Sequence, residues 1–567
     1  MRLGNKVFIF IFILLLLPSL ATLSYSQTPA ARAARQSDIL NEEFKTKQEE
    51  LKKIPEKPVE IKIMERPAVV GEEKFFIKKI NLLGCESFAP ETFSFIISKY
   101  ENREISFTEL KTLCKEIEQE YLQRGVIAAI FVPPQEVKNQ IMSLQVVEAK
   151  MGELKIEEHK YFKKDRLNYY WKIKPGEILR YDKLMQCLQE MNKNPDRKVK
   201  AVLHAGKNPG TTDVILTAQT KFPLHFESTF DREGVVSSGR SRTTVGLRYN
   251  NLLGLDDMLI SGRVFGDDFN GNYVYHTIPV SGQGTYLMYG YNHSMTMPKK
   301  EFATYGIKSI SDDWTVSINQ DIFNKEKLLG NVYLGFDANN KTIKFLSNVS
   351  NAERLRVFNL GANLTLRGSG TLTLINPEVS QGVDALGATD DDNALASRGA
   401  SPTFTKFSFS LQHSKALPRS FQANFRFKSL VSSTKLTPQE QFNLGGIDSV
   451  RGYPAADYQA DNAVFTSVEL LTPAFFVPLD WKMPYSKTLL KDQITPLVFI
   501  DYGWGMKRGA LPTEKEEANL LSAGVGLRFR LFDKVFIRTE WGFPIADNHP
   551  STESGDSKFH FSVNFEY

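Results

Sequence analysis

The sequence predicts an all-β transmembrane barrel of about 16 antiparallel strands, preceded by an N-terminal helix and two small α/β domains. Three observations support this fold class: a leader for export, a repeated β-α-α-β-β pattern, and an amphipathic alternation over residues 223–567. The mean hydropathy of −0.28 is compatible with it, because barrel strands alternate apolar and polar residues and never form a continuous apolar span.

The N-terminal segment, residues 1–26, has the pattern of a signal peptide. Two basic residues precede an apolar run over residues 7–17, which is shorter than the roughly 17 residues that a membrane-spanning helix needs. The small residues Ser24 and Ser26 then precede an expected cleavage site. We therefore expect an exported protein, which would enter a membrane as a barrel.

Residues 27–54 contain a predicted helix that is polar on most of its faces. Asp38 can cap this helix, but its apolar stripe is too narrow to bury against a core. These residues alone leave open whether the helix is merely solvated or frayed. Residues 55–74 carry three prolines among charged residues, which is typical of an extended linker.

Residues 75–150 and residues 151–222 repeat one small α/β unit. In the first unit, SFTE at residues 106–109 is a capping box, and apolar residues follow on one face of a helix. In the second unit, Leu184 takes the place of Leu110 on the corresponding helix. Because both units have the order β-α-α-β-β, we predict two related domains.

The three cysteines are too few for a disulfide scaffold. Cys114 and Cys187 fall on the predicted buried faces of the second helices, where a cysteine behaves as a small core hydrophobe. The spacing leaves open whether Cys85 and Cys114 form a disulfide.

Residues 223–567 alternate as barrel strands do. In FHFSVNFEY, the last nine residues, apolar and aromatic side chains ending with Tyr567 share one face, and polar side chains share the other. VGLRFRL at residues 525–531 repeats the pattern, and its two arginines must face a lumen because they would be costly in lipid. At about 10 residues per tilted strand, an even number of strands near 16 fits this segment.

Two segments of the predicted barrel stand out. GGIDSVRGYP at residues 445–454 is too irregular for a strand, and its first two glycines permit unusual backbone conformations. In VFIDYGWG at residues 498–505, period-two alternation places Phe499, Asp501 and Gly503 on one face. The other face is suited to lipid, so these three residues are predicted to point into the lumen.

The carboxylate of Asp501 could pair with Arg451 if the intervening loop folds back into the barrel, since a planar guanidinium suits such a site. Glu469 is also predicted to face inward and is an alternative partner. On chemistry alone, both carboxylates could equally be solvated residues of the lumen.

These motifs resemble those of the transporter component of two-partner secretion systems, the family that exports haemolysins and large adhesins. The signature VRGY of its sixth extracellular loop is matched by Val450, Arg451, Gly452 and Tyr453. FIDYG at residues 499–503 matches its strand motif F-x-D-x-G, which anchors the loop through an Arg–Asp pair. The resemblance covers nearly the whole mature chain and implies two POTRA domains and an N-terminal helix that plugs the lumen.

The resemblance implies a transporter of the bacterial outer membrane with its POTRA domains in the periplasm. It implies no enzymatic activity, no cofactor and no metal, and the small net charge of +5 gives no reason to expect a nucleic-acid partner. The POTRA domains would bind a secreted exoprotein by pairing with a strand edge. Outer-membrane lipid and, during biogenesis, the barrel-assembly machinery are the other expected partners, with Tyr567 as the assembly signal.

Three alternatives belong to other classes. An outer-membrane assembly or insertion factor shares POTRA domains and the VRGY loop, but two POTRA domains and a candidate plug helix argue against it. A barrel hydrolase would need a catalytic signature, and no His–Asp–Ser pattern surrounds the histidines of the barrel region. A diffusion porin would not need POTRA domains.

Overall fold

The computed structural model describes residues 61–63 and, apart from short gaps, residues 74–567. The gaps are residues 136–138, 209, 236–237, 299, 326, 391–392, 485–487, 513, 533 and 547–556. The predicted signal peptide, the predicted N-terminal helix and most of the predicted linker therefore lie outside the described residues. Within the described residues, no helix is long and apolar enough to cross a membrane.

The first α/β domain follows a strand, β1, that lies in the predicted linker. Its elements in chain order, after β1 (Ile61–Ile63), are β2 (Lys74–Ile77), β3 (Lys79–Leu83), a 3-10 turn (Pro90–Phe93), α1 (Ser94–Ile97), β4 (Arg103–Ser106), α2 (Phe107–Gln123), β5 (Ala128–Phe131) and β6 (Ile141–Glu148). The sheet has the order β3-β6-β5, and β2 pairs separately with β4. The strand β4 was not predicted, because its charged sequence shows no strand pattern and only its pairing with β2 keeps it extended.

Helix α2 has the predicted start and the predicted buried face. The Ser106 hydroxyl accepts a hydrogen bond from the Glu109 backbone at 3.3 Å, and the Glu109 carboxylate accepts one from the Ser106 backbone at 2.9 Å. This capping box is confirmed, and such a cap stabilises a helix by about 1 kcal/mol. The buried face is the predicted one: Leu110, Leu113, Cys114, Ile117 and Tyr121.

The second α/β domain repeats the first. Its elements are β7 (Lys150–Glu157), α3 (Lys164–Tyr170), α4 (Tyr181–Asn192), β8 (Arg197–Ala205) and β9 (Thr211–Thr220). The sheet order is β1-β8-β9-β7, so β1 joins the sheet of this domain and pairs in parallel with β8, with Ile61 opposite Ala201. The predicted linker is therefore not unpaired throughout: residues 61–63 pair with β8, and Lys74 begins β2, which pairs with β4.

All three cysteines are free thiols, so Cys85 and Cys114 form no disulfide in this structure. Cys114 and Cys187 each lie in the hydrophobic core of one α/β domain, as their helical positions predicted. Burial raises the pKa of the Cys114 thiol to about 12 and also raises that of Cys187, because a thiolate is poorly solvated among apolar side chains.

Sixteen antiparallel strands form a closed barrel, which confirms the predicted fold class. They are β10 (Leu224–Asp231), β11 (Arg242–Asn250), β12 (Met258–Gly266), β13 (Phe269–Pro279), β14 (Thr285–Thr296), β15 (Lys308–Lys325), β16 (Leu328–Phe345), β17 (Asn348–Gly368), β18 (Thr371–Gly382), β19 (Thr405–Ala416), β20 (Gln422–Ser432), β23 (Asn462–Leu471), β24 (Ile494–Met506), β25 (Glu517–Leu531), β26 (Val535–Pro544) and β27 (Lys558–Glu566). The first strand, β10, closes the ring by pairing with the last, β27.

The two faces of the barrel wall are divided as alternation predicted. On β24, the outward side chains Val498 and Ile500 are half exposed, whereas Asp501 is fully buried on the lumen side. On β27, Phe559 is exposed outward, and the inward neighbour His560 is buried and bonded to Glu233. A period of two is a local property of an extended chain, which is why the sequence alone was enough to assign these faces.

The second α/β domain is joined to the barrel by a buried ion pair. The guanidinium of Arg197, fully buried, donates two parallel hydrogen bonds to Asp256, at 2.8 Å and 3.0 Å. Asp256 belongs to the turn between β11 and β12. Nearby, Asp196 pairs with His225 of β10 at 2.8 Å. These contacts fix the domain against the rim from which the barrel strands start.

Candidate functional site

The loop between β20 and β23, residues 433–461, opens on the side of the barrel opposite the α/β domains and folds back into the lumen. Two short strands, β21 (Phe442–Leu444) and β22 (Tyr458–Ala460), pair near its base. The chain between them turns sharply at Gly445 and Gly446, whose φ angles of 101° and 93° favour glycine. The irregular backbone that the sequence predicted here is therefore the tip of an ordered loop.

The tip is held by Arg451, whose side chain is fully buried. Its Nε donates to Oδ2 of Asp501 at 2.7 Å, and its Nη2 donates to Oδ1 of the same carboxylate at 2.7 Å. The backbone N–H of Arg451 also donates to Asp501, at 3.1 Å. This bidentate geometry is the strong form of an arginine–carboxylate pair. The structure therefore brings together the two residues that the sequence suggested as a pair.

The remaining donors of Arg451 are also satisfied. Nη1 donates to Glu469 at 2.6 Å and to Glu540 at 2.9 Å, and Nη2 donates to the hydroxyl of Ser467 at 3.1 Å. An arginine has five N–H donors, and each one here has an acceptor. Glu469 is thus a second partner of Arg451 and not an alternative to Asp501.

The carboxylates around Arg451 are neutralised by further arginines of the wall. Arg528 donates to Glu469 at 2.9 Å and to Glu540 at 2.7 Å, and Arg538 donates to Glu540 at 2.7 Å. Such balancing is required, because a buried charge without a partner is very costly. We call the set of Arg451, Asp501, Glu469, Glu540, Arg528 and Arg538 the lumen latch.

The motif F-x-D-x-G of β24 is explained by contacts with this loop. The ring of Phe499 lies 3.5 Å from the guanidinium carbon of Arg451, which is a cation–π contact. Gly503 has no side chain where one would collide, since a Cβ built on it would lie 2.7 Å from Val450. Each of the three motif residues therefore contacts the loop tip.

A second strand, β26, supports the tip in the same way. Glu540 accepts from Arg451, and two residues later Gly542 lets the backbone of Gly452 approach. The hydroxyl of the neighbouring Tyr453 donates to the carbonyl of Leu521 at 3.2 Å. Glu540 and Gly542 were not predicted from the sequence, although their spacing on an inward face repeats that of Asp501 and Gly503.

The latch can hold a loop but shows no arrangement for bond chemistry. Its polar groups are arginines and carboxylates that pair with one another. Across the described parts of the chain, no group of three or more His, Cys, Asp or Glu side chains could hold a metal ion.

A closed barrel with a latched inner loop and two preceding α/β domains defines the class of outer-membrane barrels with POTRA domains. A family model described as haemolysin secretion/activation protein ShlB/FhaC/HecB matches residues 210–529, more than half of the chain, and a model of the ShlB-type POTRA domain matches residues 75–149. The chain belongs to this haemolysin secretion/activation protein family.

Curated relatives agree with this assignment. The chain is 23% identical over 391 residues to the outer membrane transporter CdiB of Dickeya dadantii, covering 67% of this chain and 69% of that protein. It is 20% identical to the heme/hemopexin transporter protein HuxB of Haemophilus influenzae, covering 84% of this chain and 85% of that protein.

Solved structures show the same fold. CdiB from Escherichia coli superposes with a TM-score of 0.68 at 19% identity, covering 97% of this chain and 100% of that one. BamA from Haemophilus ducreyi, without its POTRA domains 1–3, gives a TM-score of 0.57 at 12% identity, covering 87% of this chain and 100% of that one.

The family consists of transporters and not enzymes, and they lie in the outer membrane with POTRA domains in the periplasm. The family, the non-enzymatic class and the outer-membrane location predicted from the sequence are therefore confirmed. Members of this family support the secretion of partner proteins.

Proposed function

We propose that this chain binds a haemolysin- or adhesin-type exoprotein in the periplasm and secretes it through the lumen of its barrel, with the lumen latch controlling the path. The observation that carries the proposal is the full engagement of Arg451. A loop that occupies the lumen and is held through one buried guanidinium can be released as a unit when that guanidinium loses its partners.

Capture of the exoprotein begins at the POTRA domains. An unfolded chain can add to the edge of a sheet, because the outer strand still offers backbone donors and acceptors. In the first domain, β5 (Ala128–Phe131) is an outermost strand of the three-stranded sheet and is a candidate edge. Main-chain pairing of this kind suits a transporter that must accept a long and variable polypeptide.

Transport then requires that the lumen be cleared. The loop tip separates from Asp501, Glu469 and Glu540, and the N-terminal segment that the family resemblance implies as a plug leaves the lumen. The exoprotein passes through as an extended chain, and its folding outside supplies direction without ATP. No covalent bond changes in this mechanism, which matches a site made only of charge pairs.

The test is secretion of a large exoprotein, which the proposal predicts to be encoded beside this gene. In cells that produce both proteins, the exoprotein should appear in the medium, and deletion of this transporter should leave it in the periplasm. An exoprotein that is secreted normally after the deletion would exclude the proposal.

The alternative function, an assembly or insertion factor for outer-membrane proteins, gives a different outcome. Deletion would then lower the amounts of several unrelated outer-membrane barrels and would leave the exoprotein unaffected. Comparing the outer-membrane protein profile with the secreted fraction in one deletion strain separates the two functions.

A further inference from the structure

The turn between β23 and β24 differs from the other connections on the periplasmic side of the barrel. The six other turns on that side contain two to seven residues, whereas this one runs from residue 472 to residue 493. Periplasmic turns of outer-membrane barrels are normally short. Neither the latch nor the closure of the barrel accounts for the extra chain.

Residues 473–484 of this turn, which we call the aromatic turn, present four large apolar side chains to the outside. Their exposed fractions are 70%, 67%, 74% and 57% for Phe475, Phe476, Leu479 and Trp481. Large apolar side chains grouped on a surface mark contact with a protein or a membrane.

The four exposed side chains belong to a turn whose backbone is ordered. Val477 and Met483 are buried beneath it, so the smaller and more flexible side chains point inward while the large ones point outward. The backbone is held by its own hydrogen bonds, including Met483 N–H to the carbonyl of Thr488 at 2.9 Å and Leu490 N–H to that of Trp481 at 2.8 Å. The turn therefore holds the apolar side chains in place on its outer surface.

The aromatic turn continues the lipid-facing surface of the barrel. The ring of Phe475 lies 5.7 Å from that of Phe421. Phe421 directly precedes β20 and, by period-two alternation, lies on the same outward face as the exposed Val431. On the two strands that the turn connects, the outward residues Val468 and Val498 are each 48% exposed. The turn thus lies against the side of the wall that meets lipid, away from the lumen.

We propose that the aromatic turn is an interfacial membrane anchor that inserts into the periplasmic leaflet of the outer membrane. Phe475, Phe476 and Leu479 enter the boundary between headgroups and acyl chains, and Trp481 lies at the headgroup level, where its amphipathic ring is favoured. The partner is a phospholipid surface, and the anchor is independent of the secretion proposal.

The test places a spin label on the turn of the full-length protein in vesicles of phosphatidylethanolamine and phosphatidylglycerol. Leu479→Cys is labelled in a Cys85→Ala background, because the two other cysteines are buried. Glu157→Cys, exposed on the second α/β domain, is the matched control for water, and Val498→Cys is the control for lipid. Collision rates with oxygen and with a water-soluble nickel chelate are measured at each site.

A label at position 479 should collide with oxygen several-fold more often than with the chelate, as at position 498, and unlike the label at position 157. Chelate collisions equal to those at position 157 would overturn the proposal. A label that neither reagent reaches would also overturn it, because such a label lies in a protein contact, for example with a second copy of this chain.

A second measurement leaves position 479 and the cysteines unchanged. Wild type and Trp481→Phe are placed in nanodiscs whose phosphatidylcholine is brominated near the headgroup end of the acyl chains. The fluorescence that Trp481 contributes, obtained as the difference between the two proteins, should be quenched several-fold relative to unbrominated nanodiscs. An unquenched difference contradicts membrane insertion.

Discussion

Gly452 of the loop and Gly542 of the barrel wall meet backbone to backbone. A Cβ built on Gly542 would lie 2.5 Å from the backbone nitrogen of Gly452, closer than real Cβ atoms come to any neighbour. Gly452 also has a φ of 99°, a conformation that L side chains rarely adopt. The loop tip therefore stays in place for two reasons: its ion pairs hold it, and the two glycines have no side chains that would keep the backbones apart.

Gly542→Ala should unseat the loop tip while the barrel still assembles, because the added methyl group displaces the backbone next to Arg451. Single-channel recordings in planar bilayers should show more frequent open events than in the wild type. Gly335→Ala on β16 is the matched control, since its added Cβ would meet its nearest neighbour at an ordinary 3.6 Å. If the two variants conduct alike, the contact between the two glycines does not hold the loop.

Arg451→Ala should abolish secretion and raise the open probability of the pore, because it leaves three carboxylates without their central partner. Removing one partner of a buried ion pair typically costs about 3–5 kcal/mol. Arg451→Lys should recover little of the secretion that Arg451→Ala loses, since one ammonium cannot reproduce the bidentate pair with Asp501 and the contact with the Phe499 ring. Arg530→Ala, an exposed arginine on β25, is the control and should leave both readouts unchanged.

Phe499→Leu should weaken the latch less than Asp501→Asn does. The leucine keeps the apolar volume but loses the cation–π contact, which is worth up to about 2 kcal/mol when it is desolvated. The asparagine removes the charge that receives two side-chain hydrogen bonds from Arg451. Open probability should therefore rise in the order wild type, Phe499→Leu, Asp501→Asn, and a reversed order would argue against the assigned contacts.

Arg197→Ala should loosen the second α/β domain from the barrel, because Asp256 would remain buried without its bidentate partner. Hydrogen exchange should speed up in the turn between β11 and β12, while exchange within the barrel strands stays slow. Arg180→Ala removes an exposed pair with Asp182 in the same domain and serves as the control, since exposed pairs contribute little. Equal exchange in the two variants would show that Arg197 does not hold the junction.

The Cys114 thiol should resist maleimide in the folded protein at pH 8, whereas Cys85 reacts faster. Burial raises the pKa of the Cys114 thiol to about 12, so its reactive thiolate form is almost absent at pH 8. An ordinary thiol has a pKa of about 8.5, so the unfolded chain loses its proton first as pH rises. The linked stability of the first domain is therefore complete below about pH 8 and declines as pH rises towards 12. Mass spectrometry of labelled peptides would show rapid Cys114 labelling if its burial were wrong.

Residue patterns predicted the local part of this structure. Alternation assigned Asp501 to the lumen, and the capping box located the start of α2, because both features depend on near neighbours in the sequence. Glu540 and Arg538 were not predicted as part of the lumen latch. They come near Arg451 only when β26 takes its place in the closed ring, where Glu540 accepts from Arg451 and Arg538 donates to Glu540. The strand β1 was missed for a similar reason: its partner β8 lies far along the chain.

The pair of short strands at the base of the loop, β21 and β22, has a consequence for how the pore would open. Because these strands are already paired, the residues between them form a preassembled body that need not lose or regain conformational entropy as it moves. Opening then becomes the displacement of one rigid piece. Such a gate should pass current in discrete steps with well-defined dwell times, and not as a gradual rise.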